Sequence, residues 1–360
     1  IAAIGLTMMN GNDRDKNTIY WTQIVPSLQK NKIAEGSIDG GVSWEPYCSD
    51  AILSTDAHAL IWSGDFWPNH PCCVVATNLR FAEENPELVA RLLAAHMEAT
   101  DWILDTVANK TENPGNYTML LRMGAAFSKG VAYTEDDIRI VEASLEHMTL
   151  LYEIDQEFKD YLVNFTEQFI SLNQTSTEKL ANRGYSSTED FIDTFVDDGY
   201  QEMAATLSKV DTIIGTVRLG YLQGDLHQFA RVVASNVDMW VDTEYEGKSL
   251  FEQWGLKIDS PSPYANGADE MTAFSTGGID MGYLGSPPAI IKHLNVNDAN
   301  SNIRIVAQAN SEGSAIIVNN DIQTIADMGG KVIATPGPGS IQHLLLLAFA
   351  EANGFKIAKD

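Results

Sequence analysis

The stretch Thr335-Pro-Gly-Pro-Gly-Ser-Ile-Gln-His343 limits what this chain can become more than any other. A strand-like apolar run, Lys331-Val-Ile-Ala334, leads into it. A helix-like apolar run, Leu344–Ala352, leads out to Asn353-Gly354. Strand, glycine turn and helix in that order gather free backbone N–H groups and the positive end of a helix dipole at one point, which is an anion-binding geometry. Gly337 and Gly339 let the backbone approach a ligand closely, and Ser340 can cap the helix while still offering a hydroxyl. An ordinary turn that binds nothing satisfies the same pattern. The stretch is not a P-loop, because no Gly-Lys-Ser/Thr follows, and it is not a dinucleotide fingerprint.

At 360 residues the chain has room for two or three domain-sized units. Its formal charge of −26 argues against nucleic acid, whose binding needs clustered Lys and Arg. Such a charge suits a salty or extracellular medium, where it is screened. The three cysteines are Cys48 and the adjacent pair Cys72-Cys73. A bridge from Cys48 to one of the pair is open on sequence alone. The apolar run around Cys72-Cys73 makes a buried thiol pair the simpler reading. The seven histidines are scattered, with no His-x-x-x-His and no Cys-x-x-Cys, so no metal site is expected. Neither a Gly-x-Ser-x-Gly elbow nor a carboxylate dyad is present, and no catalytic residue or cofactor is expected. No run has the length of a membrane-spanning helix. Residues 1–17 read as an N-terminal tail, in which Ile1–Met9 fits either a first strand or the remnant of a signal or anchor segment. Sequons at Asn109, Asn116, Asn164 and Asn173 fit a cell-surface location.

Along the chain, Thr18–Val25 alternates as a strand does, and Pro26 opens a helix to about Ala34. Strands are expected at Ala59–Trp62 and Cys72–Ala76, and a long amphipathic helix from Pro86 to about Val107. From Asn109 to about Lys209 the pattern is helical and acidic. The chain then returns to strands, at Thr216–Tyr221, Ile303–Gln308 and Ser314–Val318. An internal repeat links the two ends: Gly36-Ser-Ile-Asp-Gly-Gly-Val-Ser-Trp-Glu-Pro46 and Gly277-Gly-Ile-Asp-Met-Gly-Tyr-Leu-Gly-Ser-Pro-Pro288. Each reads as a helix end, a turn, a short buried strand and a proline-bearing exit. Asp39 and Asp280 occupy its turn positions and are expected to be structural. Two α/β units meeting at a crevice follow, with ligand-binding loops at the carboxyl ends of strands. Backbone amides, hydroxyls and an indole in those loops suit binding better than bond-breaking.

These residues carry a resemblance. Val217–Tyr221, Gly277–Asp280 with Gly285–Pro288, Gly330–Ser340, Gly36–Asp39 with Trp44–Pro46, and Asn85–Leu88 together resemble the substrate-binding proteins of ABC importers, in the nitrate/sulfonate/taurine group with its pyrimidine-precursor relatives. The resemblance implies a two-lobed periplasmic-binding-protein type II fold, joined by a two-segment hinge near Thr55–Leu60 and Val318–Ile322. The segment order is exchanged relative to the family, which implies a circular permutation or a fragment of a tandem protein. On the permuted reading, 18–55 and 320–360 form one lobe and 56–108 and 213–319 the other, with 109–212 as an inserted acidic helical bridge. The implied partners are a small solute and ABC permease subunits, in an extracytoplasmic location. A membrane enters only through an N-terminal anchor.

The expected ligand-binding residues are Trp44, Glu45, Tyr221, Gln223, His227, Ser286, Pro287, Glu312, Ser314, Gly339, Ser340, Gln342 and His343. The loops matched to the family hold Glu45, Asp225 and Glu312 but no Lys or Arg, which disfavours a bare anion and favours a zwitterion such as taurine or a heterocycle stacked on Trp44 or Tyr221. The competing class is an enzyme on the same fold, with Cys72-Cys73 as its one candidate feature.

Overall fold

Three parallel strands beside two antiparallel ones recur twice in this molecule. A computed structural model describes residues 14–240, 243–260, 263–296 and 301–360. The described strands are β1 (Thr18–Gln23), β2 (Gly40–Trp44), β3 (His58–Trp62), β4 (Cys73–Asn78), β5 (Met148–Leu150), β6 (Gly215–Tyr221), β7 (Leu256–Asp259), β8 (Met281–Gly285), β9 (Ile303–Gln308), β10 (Asn310–Glu312), β11 (Ser314–Val318), β12 (Val332–Thr335) and β13 (Lys356–Lys359). One sheet runs β13-β1-β12-β2-β11-β3 and the other β7-β6-β8-β4-β9. In the first, β1, β12 and β2 are mutually parallel and β11 is antiparallel to β2 and β3. In the second, β7, β6 and β8 are parallel and β4 is antiparallel to β8 and β9. The second sheet thus matches β1-β12-β2-β11-β3 strand for strand.

The repeat seen in the sequence occupies equivalent places. Gly36 and Gly277 each end a helix with φ 69°, a left-handed conformation that glycine adopts without penalty. Asp39 donates its N–H to the Val332 carbonyl (2.9 Å), and its carboxylate takes the Val332 N–H (2.9 Å). Asp280 does the same with Arg218, at 2.8 and 2.9 Å. Lys331 and Arg218 close each clamp as an ion pair. Both aspartates are committed to holding a neighbouring parallel strand, as their turn positions imply.

The pairing places the crossings between sheets after β3 and before β11. Strands β3 and β11 belong with β2 and not with β4 and β9, so the crossings are 63–72 and 309–313, displaced from the hinge positions expected near Thr55–Leu60 and Val318–Ile322. The two crossings run side by side: Cys72 N–H bonds the Asn310 carbonyl (3.1 Å), and Glu312 N–H bonds the His70 carbonyl (3.0 Å).

The acidic helices of 109–212 pack onto the second sheet. Leu120, Phe158, Phe165, Phe169, Phe191 and Phe195 share one continuous core with Val74, Val217 and Ile305 of the second sheet. Their solvent faces carry the acidic residues, and their apolar stripes replace water contact with packing, as amphipathic periodicity requires. The six-stranded sheet has a smaller core on each face, with Ile316 and Ile333 on one and Ile317 and Ala334 on the other, following the alternation of side chains along a strand. Of the expected N-terminal tail, residues 1–13 lie outside the described residues.

Candidate functional site

The turn after β12 is built as its sequence implies. Gly337 and Gly339 have φ 139° and 84°, values that favour glycine. A Cβ at Gly337 would lie 2.7 Å from the Gln23 amide. The Ser340 hydroxyl accepts the His343 N–H (3.1 Å) and donates to the Gly337 carbonyl (2.8 Å), which fixes the start of helix Ile341–Ala352.

Pro336, Ser340, Ile341 and Gln342 form one wall of a cavity that Trp44 joins from the end of β2. The opposite wall comes from the five-stranded unit: Cys72, Cys73, Leu222, Asp225, His227, Asn266, Gly267, Gly285 and Pro288. Its volume is about 30 Å3, roughly the share of one water in the liquid. Trp44 is buried, and its indole Nε1 has no partner among the described residues.

Four of the thirteen expected ligand residues line this cavity: Trp44, His227, Ser340 and Gln342. The others sit around it or away from it. Glu45 is fully buried, and its carboxylate accepts from Ser49 N (3.0 Å), Ser49 Oγ (2.7 Å) and Ser144 Oγ (3.2 Å). Burial pushes that carboxyl up to about 7, against the lowering effect of these hydrogen bonds. Ser286 and Pro287 are buried at the start of helix Ser286–Asn295, just behind Gly285. Ser314 Oγ accepts from Gln342 Nε2 (2.9 Å) and so supports a lining residue from behind. His343 hydrogen-bonds Thr335 Oγ1 (3.2 Å) and packs edge-on against Trp21, and Gly339 shapes the turn without lining the cavity.

Tyr221 lies beneath the Arg231 guanidinium, 3.9 Å from the ring centroid, where the cation takes the ring face offered above to a heterocycle. Gln223 is exposed, and its backbone carbonyl takes the Tyr47 hydroxyl (3.0 Å). Glu312 accepts the Asn69 N–H (2.8 Å) beside the crossings.

The structure also assembles a cluster that local spacing did not reveal. Cys72 Sγ lies 3.3 Å from His227 Nδ1, across 155 residues of sequence. Cys73 Sγ is 3.5 Å from Asp225 Oδ2, and Asp225 Oδ1 is 3.6 Å from His227 Nδ1. Strand neighbours point to opposite faces, but Cys72 precedes the first residue of β4, so both sulfurs can turn to one side. All three cysteines are free and buried, and Cys48 is not bridged to either member of the pair. Cys48 packs in the small core with Ile33 and Ala334 instead. Cys72's thiol is held low by the hydrogen bond from Cys73 and by His227, and Cys73's is pushed well up by giving that bond and by burial. Burial pulls His227 down, but attraction to Cys72 and Asp225 prevails and raises it to about 9. The expectation of a plain buried thiol pair is met in burial and corrected in environment: the neighbours are an imidazole and a carboxylate.

Two matching α/β sheets thus face one cavity, walled by a glycine turn and helix starts. The sequence model of the NMT1-like family matches residues 1–113 and 218–360, and the chain belongs to that family, a substrate-binding family of the nitrate/sulfonate/taurine ABC-transporter type. The unmatched residues, 114–217, take in most of the helical insertion and the start of β6. No curated protein and no solved structure matches the chain. Binding proteins of this family work outside the cytoplasm in general, and no described helix is long and apolar enough to cross a membrane.

Proposed function

We propose that this chain is an extracytoplasmic receptor that closes two lobes on a small polar or zwitterionic solute of the taurine or alkanesulfonate kind and delivers it to an ABC permease. The observation that carries this reading is the cavity between the two sheets, where an unpartnered buried indole N–H and a capped helix start share one wall. The lobes of this reading are the units built on each sheet, and its hinge is the pair of crossings, 63–72 and 309–313. A cavity of about 30 Å3 is too small for such a solute, so capture requires the lobes to part and close again. No Lys or Arg lines the cavity, which favours a zwitterion over nitrate. The circular permutation is part of the same proposal. Asp360 pairs with Arg14 (2.6 Å) and bonds the Trp21 carbonyl through its N–H (2.9 Å), so the segments that the family's order would join, 353–360 and 18–26, lie near each other, here as parallel neighbouring strands.

A thermal-shift panel at fixed salt tests the solute. Taurine, alkanesulfonates, nitrate, bicarbonate and a pyrimidine precursor are each added to the purified chain. A binder of the folded form raises the melting temperature in proportion to RT ln(1 + [L]/Kd). The expected result is a shift with a sulfonate that is lost in Trp44→Ala. A folded protein with no shift across the panel overturns the reading.

One observation favours a second reading, an enzyme or binder for a pyrimidine-type heterocycle: the Cys72–His227 contact has the form of an activated thiol. Turnover of a pyrimidine precursor that stops on Cys72→Ser is its test.

A further inference from the structure

We propose that Cys72, Cys73 and His227 form a three-donor site for a thiolate-preferring divalent ion of the zinc class, with a fourth position left for solvent and Asp225 beside it, set where the two crossings meet the loop after β6. The inference does not depend on which solute, if any, the cavity takes.

Four observations carry it. The first is donor geometry. Bond lengths of about 2.3 Å to sulfur and about 2.0–2.2 Å to nitrogen and oxygen place tetrahedral S–N, S–O and N–O edges at about 3.4–3.6 Å. Cys72 Sγ lies 3.3 Å from His227 Nδ1, close to the S–N edge, while Cys73 Sγ and His227 Nδ1 approach different oxygens of Asp225 (Oδ2, 3.5 Å; Oδ1, 3.6 Å), which places that carboxylate beside the three donors. The two sulfurs and the imidazole nitrogen all lie within 4.8 Å of one another.

The second observation is the arrangement behind the donors. His227 Nε2 lies 3.0 Å from the Gly313 carbonyl, so Nε2 donates there and Nδ1 faces the cluster, where release of the proton it shares with Cys72 leaves a lone pair for the ion. Metal-binding histidines are held this way by a partner on the far nitrogen. Gly313 is closed against the ring, since a Cβ there would come 2.3 Å from Nε2. Asp225 is fixed by the His227 N–H (3.0 Å) and Gln228 Nε2 (3.1 Å).

Third, the donor chemistry is selective. Two sulfurs and an imidazole suit zinc far better than magnesium or calcium, which require oxygen. Fourth, all four residues line the small cavity, which holds about one water-sized volume and provides a route of entry.

Binding balances as an exchange of protons for the ion. The Cys73 thiol proton and the proton shared by Cys72 and His227 leave to solvent, and two thiolates and a neutral imidazole take the ion.

The full chain, reduced and stripped of metal, is titrated with Co2+ and then Zn2+. The expected result at one equivalent is a thiolate-to-cobalt charge-transfer band with the intense visible bands of tetrahedral cobalt, bleached by Zn2+. Cys72→Ser and Cys73→Ser each weaken Zn2+ at least about 100-fold in chelator competition, and Cys48→Ser does not. Absence of the charge-transfer band in folded protein, or its persistence in both variants, overturns the proposal. A second measurement needs no variant: zinc-edge X-ray absorption of the wild-type chain with one equivalent of Zn2+. A sulfur shell at about 2.3 Å supports the site, and a shell of nitrogen and oxygen alone overturns it.

Discussion

Residues 29–46 and 270–287 are built on one plan, and they differ in what they deliver to the cavity. In each, a buried polar side chain seven residues before the helix-ending glycine packs on the second glycine of the motif: Gln29 against Gly41, and Glu270 against Gly282. A Cβ on either glycine would lie 2.3 Å from the Oε1 atom above it. In each, the aspartate clamps the adjacent parallel strand. At the exit the two part. Trp44 brings an indole to the cavity, where Gly285 brings only backbone. Glu45 and Ser286 follow, each buried at the start of a helix. The scaffold half of the repeat is therefore shared, and the two copies differ at the last residue of the strand and the residue after it.

The comparison can be broken most forcefully at Gly40, whose counterpart is the buried Met281. A Cβ at Gly40 would meet the Ile317 carbonyl at 2.6 Å, and backbone in a paired strand cannot yield as a side chain can. Gly40→Ala is expected to lose about 3 kcal/mol in denaturant unfolding. Unchanged stability would mean that the two strands have interchangeable surroundings.

A smaller effect separates the clamps. Asp280→Ala is expected to cost about 2–3 kcal/mol and Asp39→Ala about 1–2 kcal/mol. Asp280 is the less exposed, at 10% against 25%, and its partner is a guanidinium, although Arg218's own 45% exposure screens the charge term. Equal losses would show that the backbone N–H bond, common to both, supplies the whole effect.

The smallest and most diagnostic difference is Gln29 against Glu270. Burial raises the Glu270 carboxyl well above its ordinary value of 4.5, with Asp225 adding to the rise and Arg231 opposing it. Its folded form keeps a proton that the unfolded chain releases. Stability from this group is therefore full below pH about 4.5 and falls as pH rises above it, with a slope of about 1.4 kcal/mol per unit. Glu270→Gln is expected to flatten this part of the pH–stability curve, and Gln29→Glu to impose a similar slope on the other repeat. A wild-type curve unaltered by Glu270→Gln would place the titration elsewhere.

Much of this architecture was legible without coordinates, because its signals are local. Pro26 starts a helix and Gly36 follows its end, and the helix runs Pro26–Ala34 as expected. The glycine turn and the Ser340 cap were readable because φ preference and capping act within a few residues. The repeat was visible for the same reason, although the match of Gln29 to Glu270 required the glycine contacts to be seen. Strand β5 was not anticipated within its helical surroundings, since it exists only by pairing with β10.

Tertiary structure alone decided the cavity and the thiol cluster. Cys72 and His227 stand 155 residues apart, and only the pairing of β4 with β8 and of β8 with β6 brings their loops together. It also placed Tyr221 under Arg231 rather than in the cavity, and merged the acidic helices into the core of one sheet. Chain geometry over a few residues follows from sterics and local hydrogen bonds. Which distant side chains share a site depends on strand order and register, and these are set by burial summed over the whole chain.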